Sequence, residues 1–209
     1  MTVRIGMPRS RYTREGREDA RLVESCRDGD TEAFATLVMR HQDSVYSVAC
    51  RMVGDREEAR DISQETFIKV FEGLSTYDSR WPFRSWVLRI ATNAAIDNLR
   101  RRRSREVSLE MTYDARDHTG EGNKARVIEF PARSSEIPEN VSVANETSQA
   151  VWLALRELPD NYRAVLVLHH MEGMSYAEIA RVLGVPRNTA KTWGHRARAI
   201  LCESLEGVI

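Results

Sequence analysis

Apolar positions recur at three- and four-residue steps in two blocks of this chain, separated by a polar stretch of about forty residues that keeps no period. The first block opens at Glu18, with Leu22, Val23 and Cys26 preceding an Asp28-Gly29-Asp30 break. A longer helix is predicted next, with Phe34, Leu37, His41, Val45, Val48 and Met52 on one face and Gly54 closing it. Asp55 is placed to cap a third helix and Glu58 to complete a capping box, with Ala59, Ile62, Thr66, Val70 and Leu74 inward. A fourth helix starts at Pro82 and runs into the Arg100 to Arg103 block. The second block continues through Val151, Leu155 and Leu158, breaks at Pro159, and resumes through Tyr162, Val165, Leu166 and Leu168. No strong β-hairpin signal occurs. The pattern predicts an all-α fold of two small helical domains, residues 18–103 and 146–209, joined by a long flexible linker at 104–145. Residues 1–17, Arg-rich and aperiodic, read as a disordered basic tail, and Val-Ile-Glu-Phe at 127–130 as a brief extended piece or a docking segment.

The last sixty residues have the sharpest local signals. Ser175 and Glu178 have capping-box spacing; Ala177, Ile179, Ala180 and Leu183 form an apolar stripe, and Gly184 ends the helix. Pro186 suits the first turn of the next helix, and so short a connection makes the two helices cross steeply, as in a helix-turn-helix. On a wheel, Ala190, Trp193, Ala197, Ile200 and Leu201 share one side of the second helix, while Asn188, Lys191, Thr192 and His195 share the other, the reading face. Residues 181–200 hold five Arg or Lys and no acid, which suits phosphate contact. A basic run alone would equally fit a solvated helix; the caps, the Gly, the Pro and the short turn favour the DNA reading.

The helix after Pro82 is amphipathic as well. Phe83, Trp86, Val87, Ile90 and Ala94 form its packing side, and Ser85, Arg89, Thr92, Asn93, Ile96 and Arg100 the side offered outward. Tyr77 and Trp81, in the loop before it, are placed either to stack on exposed bases or to lie as core lids, the latter favoured for Trp81.

Formal net charge is zero, which excludes a globally basic nucleic-acid binder. The charges are segregated: residues 55–78 carry minus four and residues 84–105 plus six. Cys26, Cys50 and Cys202 have no zinc-site spacing and no disulfide framework, so reduced thiols in a cytoplasmic protein are expected, with no metal and no cofactor. The N-terminus lacks the apolar core of a signal peptide, and no run reaches transmembrane length. His169 and His170 are adjacent and point about 100° apart on a helix, so they cannot share a metal from one face. No catalytic motif accompanies them, and a non-enzyme is expected.

Three segments together, DREEARDISQETF at 55–67, FEGLSTYDSRWPFRSWVLRIATNAAIDNLRRRR at 71–103 and ELPDNYRAVLVLHHMEGMSYAEIARVLGVP at 157–186, resemble the successive signatures of bacterial extracytoplasmic-function (ECF) sigma factors of the sigma-70 family. The resemblance implies a subunit that binds core RNA polymerase and directs promoter-specific transcription initiation. It implies docking of Asp61, Gln64 and Glu65 on the clamp helices of the largest polymerase subunit, a second contact with the flap of the second largest, and an anti-sigma factor as a further partner class. It implies minus-ten contacts from Tyr77, Asp78, Arg84, Arg89, Asn93 and Arg100, and minus-thirty-five contacts from Arg187, Asn188, Lys191, Thr192 and His195, with Arg196 and Arg198 toward phosphates. The alternative is a stand-alone helix-turn-helix activator, which leaves the acidic helix and the aromatic loop unexplained.

One departure stands out. Where the family usually has a basic residue followed by a bulky aliphatic, this chain has Trp193 and Gly194. Gly inside a helix costs about 1 kcal/mol relative to Ala, and the large Trp193 predicts spare room at position 194, so that Gly194→Ala should stabilise the domain.

Overall fold

The computed structural model describes residues 14–113 and 150–206, which contain helices and no strand. The tail reading for residues 1–13 and the segment 127–130 lie outside the described residues.

Helix α1 spans Arg14–Arg27, starting four residues before the predicted onset, and α2 spans Thr31–Val53. Asp30 caps α2 through the amides of Glu32 and Ala33, and Gly54 ends it at a φ of 74°, a left-handed conformation that favours glycine. Helix α3, Arg56–Gly73, is capped by Asp55 through the amides of Glu57 and Glu58. The predicted box is only half realised, since Glu58 Oε2 lies 3.9 Å from Arg102 on the fourth helix. A 3-10 turn at Leu74–Thr76 and a short loop lead to α4, Phe83–Tyr113. Helix α4 thus extends ten residues into the stretch read as linker; Glu106, Leu109, Glu110 and Met111 are good helix formers, with no Gly or Pro among them.

In the second half, α5 is described over 150–157. Helix α6, Asp160–Leu166, passes into a π turn at Val167–Met171, and α7, Tyr176–Leu183, and α8, Arg187–Leu205, follow. Ser175 and Glu178 form the full reciprocal capping box, and Gly184 turns the chain at a φ of 67°.

Helices α1 to α4 enclose a core of Leu37, Val45, Met52, Ile62, Val70, Phe83 and Leu88. All five inward positions predicted for α3 and its extension are buried. This core is continuous with Ala164, Val165, Leu168, Ile179 and Ala190 of the second half, because α4 packs on α6 and α7 as well as on α1, α2 and α3. A separate cluster of Leu155, Leu158, Leu166 and Ala197 holds α5 and α6 to α8. The two halves, which correspond to the two helical domains expected from the sequence, touch through an apolar interface.

Candidate nucleic-acid interface

Arg89, Asn93 and Arg100 are exposed along α4, at spacings that keep them on one face, with Asp97 among them and 3.8 Å from Arg100. Thr92 and Ile96, assigned to the same face by the wheel, are buried instead. Contacts with five other helices widen the apolar arc of α4 beyond what one covered face allows.

The loop before α4 is built from inside the fold. Tyr77 is 6 % exposed, its ring 5.5 Å from Phe83 and 4.9 Å from Trp86, and its hydroxyl donates to the Trp81 carbonyl. Burial pushes its pKa up to about 12, with the charges of Asp19 and Asp78 adding to the rise. Tyr77 is thus a buried loop anchor here, and the expectation that it stacks on a base is corrected. Arg27 of α1 reinforces the anchor by donating to the Leu74 carbonyl at 3.2 and 3.1 Å and to the Tyr77 carbonyl at 2.6 Å. Asp78 accepts from the Arg80 amide and guanidinium, which hold its carboxyl below the usual range. Trp81 is no core lid: it is 45 % exposed, with the Arg181 guanidinium 4.4 Å over its ring. Arg84 is also corrected from an open DNA contact, since it donates to the carbonyl of Glu172 at 3.0 Å and pairs with the Glu172 carboxylate.

On α8, Arg187, Asn188, Lys191, Thr192, His195 and Arg196 are all exposed. Arg198 does not join them. It is half-buried and donates to the Gly194 carbonyl at 3.2 Å and the Tyr176 hydroxyl at 3.5 Å, which corrects its phosphate assignment. Gly194 is buried against Tyr176, whose Cε1 and hydroxyl oxygen would each stand 2.8 Å from an added Cβ, so the expected spare room is absent. Trp193 packs 6.3 Å from Tyr162 and does not fill that space. In α7, Ala177 is exposed and Val182 takes the buried place the stripe had given it.

Asp61 and Gln64 are exposed on α3, and Glu65 is half-buried and paired with Lys69 at 2.7 Å. Beside them lies a groove between α2 and α3 of about 880 Å³, lined by Phe34, Tyr46, Gln64, Phe67, Ile68 and Phe71. Ile68 and Phe71 are 59 % and 57 % exposed, and Phe34 meets Phe71 edge-on at 5.0 Å. The sequence reading missed this groove. Its signal was that Phe67, Ile68 and Phe71 fall outside the inward stripe of α3 yet are large and apolar.

His169 stacks on Tyr176 at 4.5 Å and its Nδ1–H donates to the Met174 carbonyl at 2.8 Å; burial is the main cause lowering the His170 pKa. Among the described residues no group of His, Cys, Asp or Glu could hold a metal ion, and no helix is long and apolar enough to cross a membrane.

The two halves match two family models in order, sigma-70 region 2 over residues 37–105 and sigma-70 region 4 over residues 148–201. The chain is 33 % identical over 183 residues to the ECF RNA polymerase sigma factor SigW of Bacillus subtilis, covering 88 % of this chain and 94 % of that one. It belongs to the ECF sigma factors of the sigma-70 family. The RNA polymerase sigma-H factor of Pseudomonas aeruginosa is 31 % identical, covering 92 % of this chain and 96 % of that one. Among solved structures, CnrH in complex with the cytosolic domain of CnrY is similar, with a TM-score of 0.63, 25 % identity, and coverage of 90 % of this chain and 97 % of that one. This sigma factor is thus an alternative sigma acting in promoter-specific transcription initiation, and the stand-alone activator reading leaves the region 2 match without a role.

Proposed function

We propose that this sigma factor docks on core RNA polymerase through the α2–α3 groove and its polar rim, reads the minus-ten element with the outer face of α4, and reads the minus-thirty-five element with α8. The observation that carries the proposal is the separation of three exposed surfaces of different chemistry. Apolar Ile68 and Phe71 lie beside Asp61 and Gln64 on α3. Arg89, Asn93 and Arg100 lie on α4, and Arg187, Asn188, Lys191, Thr192, His195 and Arg196 on α8.

The groove offers apolar area to the clamp helices, while Asp61 and Glu65 supply charge complementary to a basic partner surface. On α4, Arg89 and Arg100 bring the phosphate backbone near, and Asn93 supplies a donor and acceptor for bases or sugars. On α8, Asn188, Lys191 and Thr192 are placed to meet base edges in a major groove, with Arg187 and Arg196 toward phosphates. Trp81, exposed on the loop before α4, is the aromatic group placed to stack on an unpaired base, in the role expected of Tyr77. The flap of the second largest subunit completes the polymerase contact. An anti-sigma factor of the kind present in the CnrH–CnrY complex is a further partner, and the site of action is the cytoplasm.

Co-elution with core polymerase, followed by sequencing of transcripts made in vitro, tests the reading. Stable co-elution and a restricted set of start sites are expected. A chain that binds duplex promoter DNA at nanomolar affinity without polymerase, and does not co-elute with it, would return the activator reading.

A further inference from the structure

Glycine at position 194 lets the ring of Tyr176, at the start of α7, press directly on the backbone of α8. The Tyr176 hydroxyl oxygen then lies 3.5 Å from Arg198 Nη2, while Arg198 Nε donates to the Gly194 carbonyl at 3.2 Å. The same Nη2 lies 3.2 Å from Nδ1 of His195, three residues back and exposed on the face of α8 offered to DNA. Nη2 carries two hydrogens, one for each of these partners. Tyr176 is itself held. The capping box of Ser175 and Glu178 fixes the first turn of α7, and the ring stacks on His169, whose Nδ1–H donates to the Met174 carbonyl.

This arrangement decides where the His195 ring carries its proton. A guanidinium only donates and does not lose its charge in proteins, so Nδ1 of His195 accepts and keeps its lone pair. The ring is then the neutral tautomer with its hydrogen on Nε2, the nitrogen across the ring. Toward a major groove such a side chain offers one donor and no acceptor. It suits O6 or N7 of guanine, N7 of adenine or O4 of thymine, and it opposes the amino group of cytosine. The other tautomer would turn an acceptor outward and favour amino groups instead.

We propose that Tyr176 and Arg198 are positioning residues that lock His195 as an Nε2–H donor, which makes His195 a specificity-determining contact at one base pair of the minus-thirty-five element. This rests on the promoter reading given above, and it adds which hydrogen-bonding edge the contact selects. Arg198 acts through His195 and not on a phosphate. Gly194 belongs to the same device, since its missing Cβ admits the ring that carries the hydroxyl to Arg198.

The first arm of the test is nitrogen NMR of the full chain with its histidine rings labelled with the heavy nitrogen isotope. At about pH 8 an imidazole carries a single proton, and the spectrum separates protonated from unprotonated ring nitrogens. His195→Gln assigns the signal. His195 is expected in the Nε2–H form, with His169 supplying the opposite tautomer in the same spectrum, and Arg198→Met should release His195 toward a mixture. A wild-type His195 in the Nδ1–H form, or averaged between the two, overturns the proposal.

The second arm selects sites with holoenzyme from a promoter library randomised across the minus-thirty-five element. His195→Ala should lose a preference of about five-fold at one base pair, the worth of one neutral hydrogen bond. Arg198→Met keeps the side-chain length and loses the donors, so most of that preference should go at the same base pair, and the double variant should be no worse than His195→Ala alone. A loss spread evenly over all sequences would make Arg198 a phosphate contact, and an unchanged preference would make it a packing residue; either result sinks the proposal. If Arg198→Met loses helicity by circular dichroism, the wild-type tautomer and the His195→Ala preference decide. No preference anywhere in the element for wild-type holoenzyme would overturn the promoter reading, whereas a preference that neither variant alters would overturn the lock alone.

Discussion

The ring of Tyr176 occupies the space that a Cβ on residue 194 would need, with Cε1 and the hydroxyl oxygen both 2.8 Å from that point. Tyr176 cannot easily yield, because its other face stacks on His169, which is tied to the Met174 carbonyl. Overpacking at such a site costs typically about 1–3 kcal/mol, against a helix-propensity gain of about 1 kcal/mol for Ala over Gly. Gly194→Ala is therefore expected to lower the melting temperature of the full chain. Tyr176→Ala in the same chain should remove most of the penalty, a coupling that a double-mutant thermal melt measures directly.

Arg27 is expected to matter through the loop it holds. Hydrogen bonds from a charged group contribute about 1.5–3 kcal/mol each when buried, and Arg27 is partly exposed, so Arg27→Ala should cost about 1–3 kcal/mol in total. Arg27→Lys should recover only part, since one ammonium cannot fork between the Leu74 and Tyr77 carbonyls as a guanidinium does. Permanganate footprinting of the minus-ten region should show a larger defect than core binding does. Equal defects in both assays would place the effect in general folding.

Tyr77 gives a pH signature. Its pKa stands at about 12 in the fold against an ordinary value of 10.0, so the fold binds the phenolic proton more tightly than the unfolded chain does. The stability this contributes is complete below pH 10 and is lost as pH rises from there toward 12. Absorbance titration at the phenolate band, wild type minus Tyr77→Phe, should show a late-titrating tyrosine. A difference spectrum with its midpoint near pH 10 would mean that the ring is solvated.

Core binding should depend on both chemistries of the α3 surface. Ile68→Ser with Phe71→Ser removes exposed apolar groups, so stability should change by no more than about 0.5 kcal/mol per site while affinity for core polymerase falls about ten-fold or more. Asp61→Arg with Glu65→Arg should weaken the same interaction mainly through its association rate and its salt dependence. Stopped-flow and competition binding to core separate these effects, and unchanged affinity in both variants would move the docking surface elsewhere.

The two DNA faces should fail differently. Asn93→Ala with Arg100→Ala is expected to impair opening at minus ten. Arg187→Ala with Lys191→Ala should weaken attachment at minus thirty-five and reduce the salt slope of binding by about 2, close to one counterion for each lost contact. A premelted template distinguishes them, since it should rescue the α4 pair only.

Much of this was legible in the sequence because it is local. The inward set of α3, the Ser175–Glu178 box and the exposed row from Arg187 to Arg196 each follow from spacing within one helix. What failed was non-local. A wheel places Thr92 and Ile96 outward because it knows only one covered face, while α4 packs against both halves. The resemblance points Arg84 at DNA, and nothing in the sequence shows that its partner, Glu172, comes from 88 residues away. At position 194 the sequence offers only the size of the neighbour Trp193, whereas the group that fills the space, Tyr176, comes from another helix.

Arg163 ties two parts of the fold that are far apart in the chain. Its guanidinium serves three acceptors, and two of them, the carbonyls of Arg156 at 2.6 Å and Leu158 at 3.3 Å, belong to its own half. The third, the Met52 carbonyl at the end of α2, belongs to the other half, so loss of this one buried side chain would unseat the α5–α6 turn and the contact between the halves together.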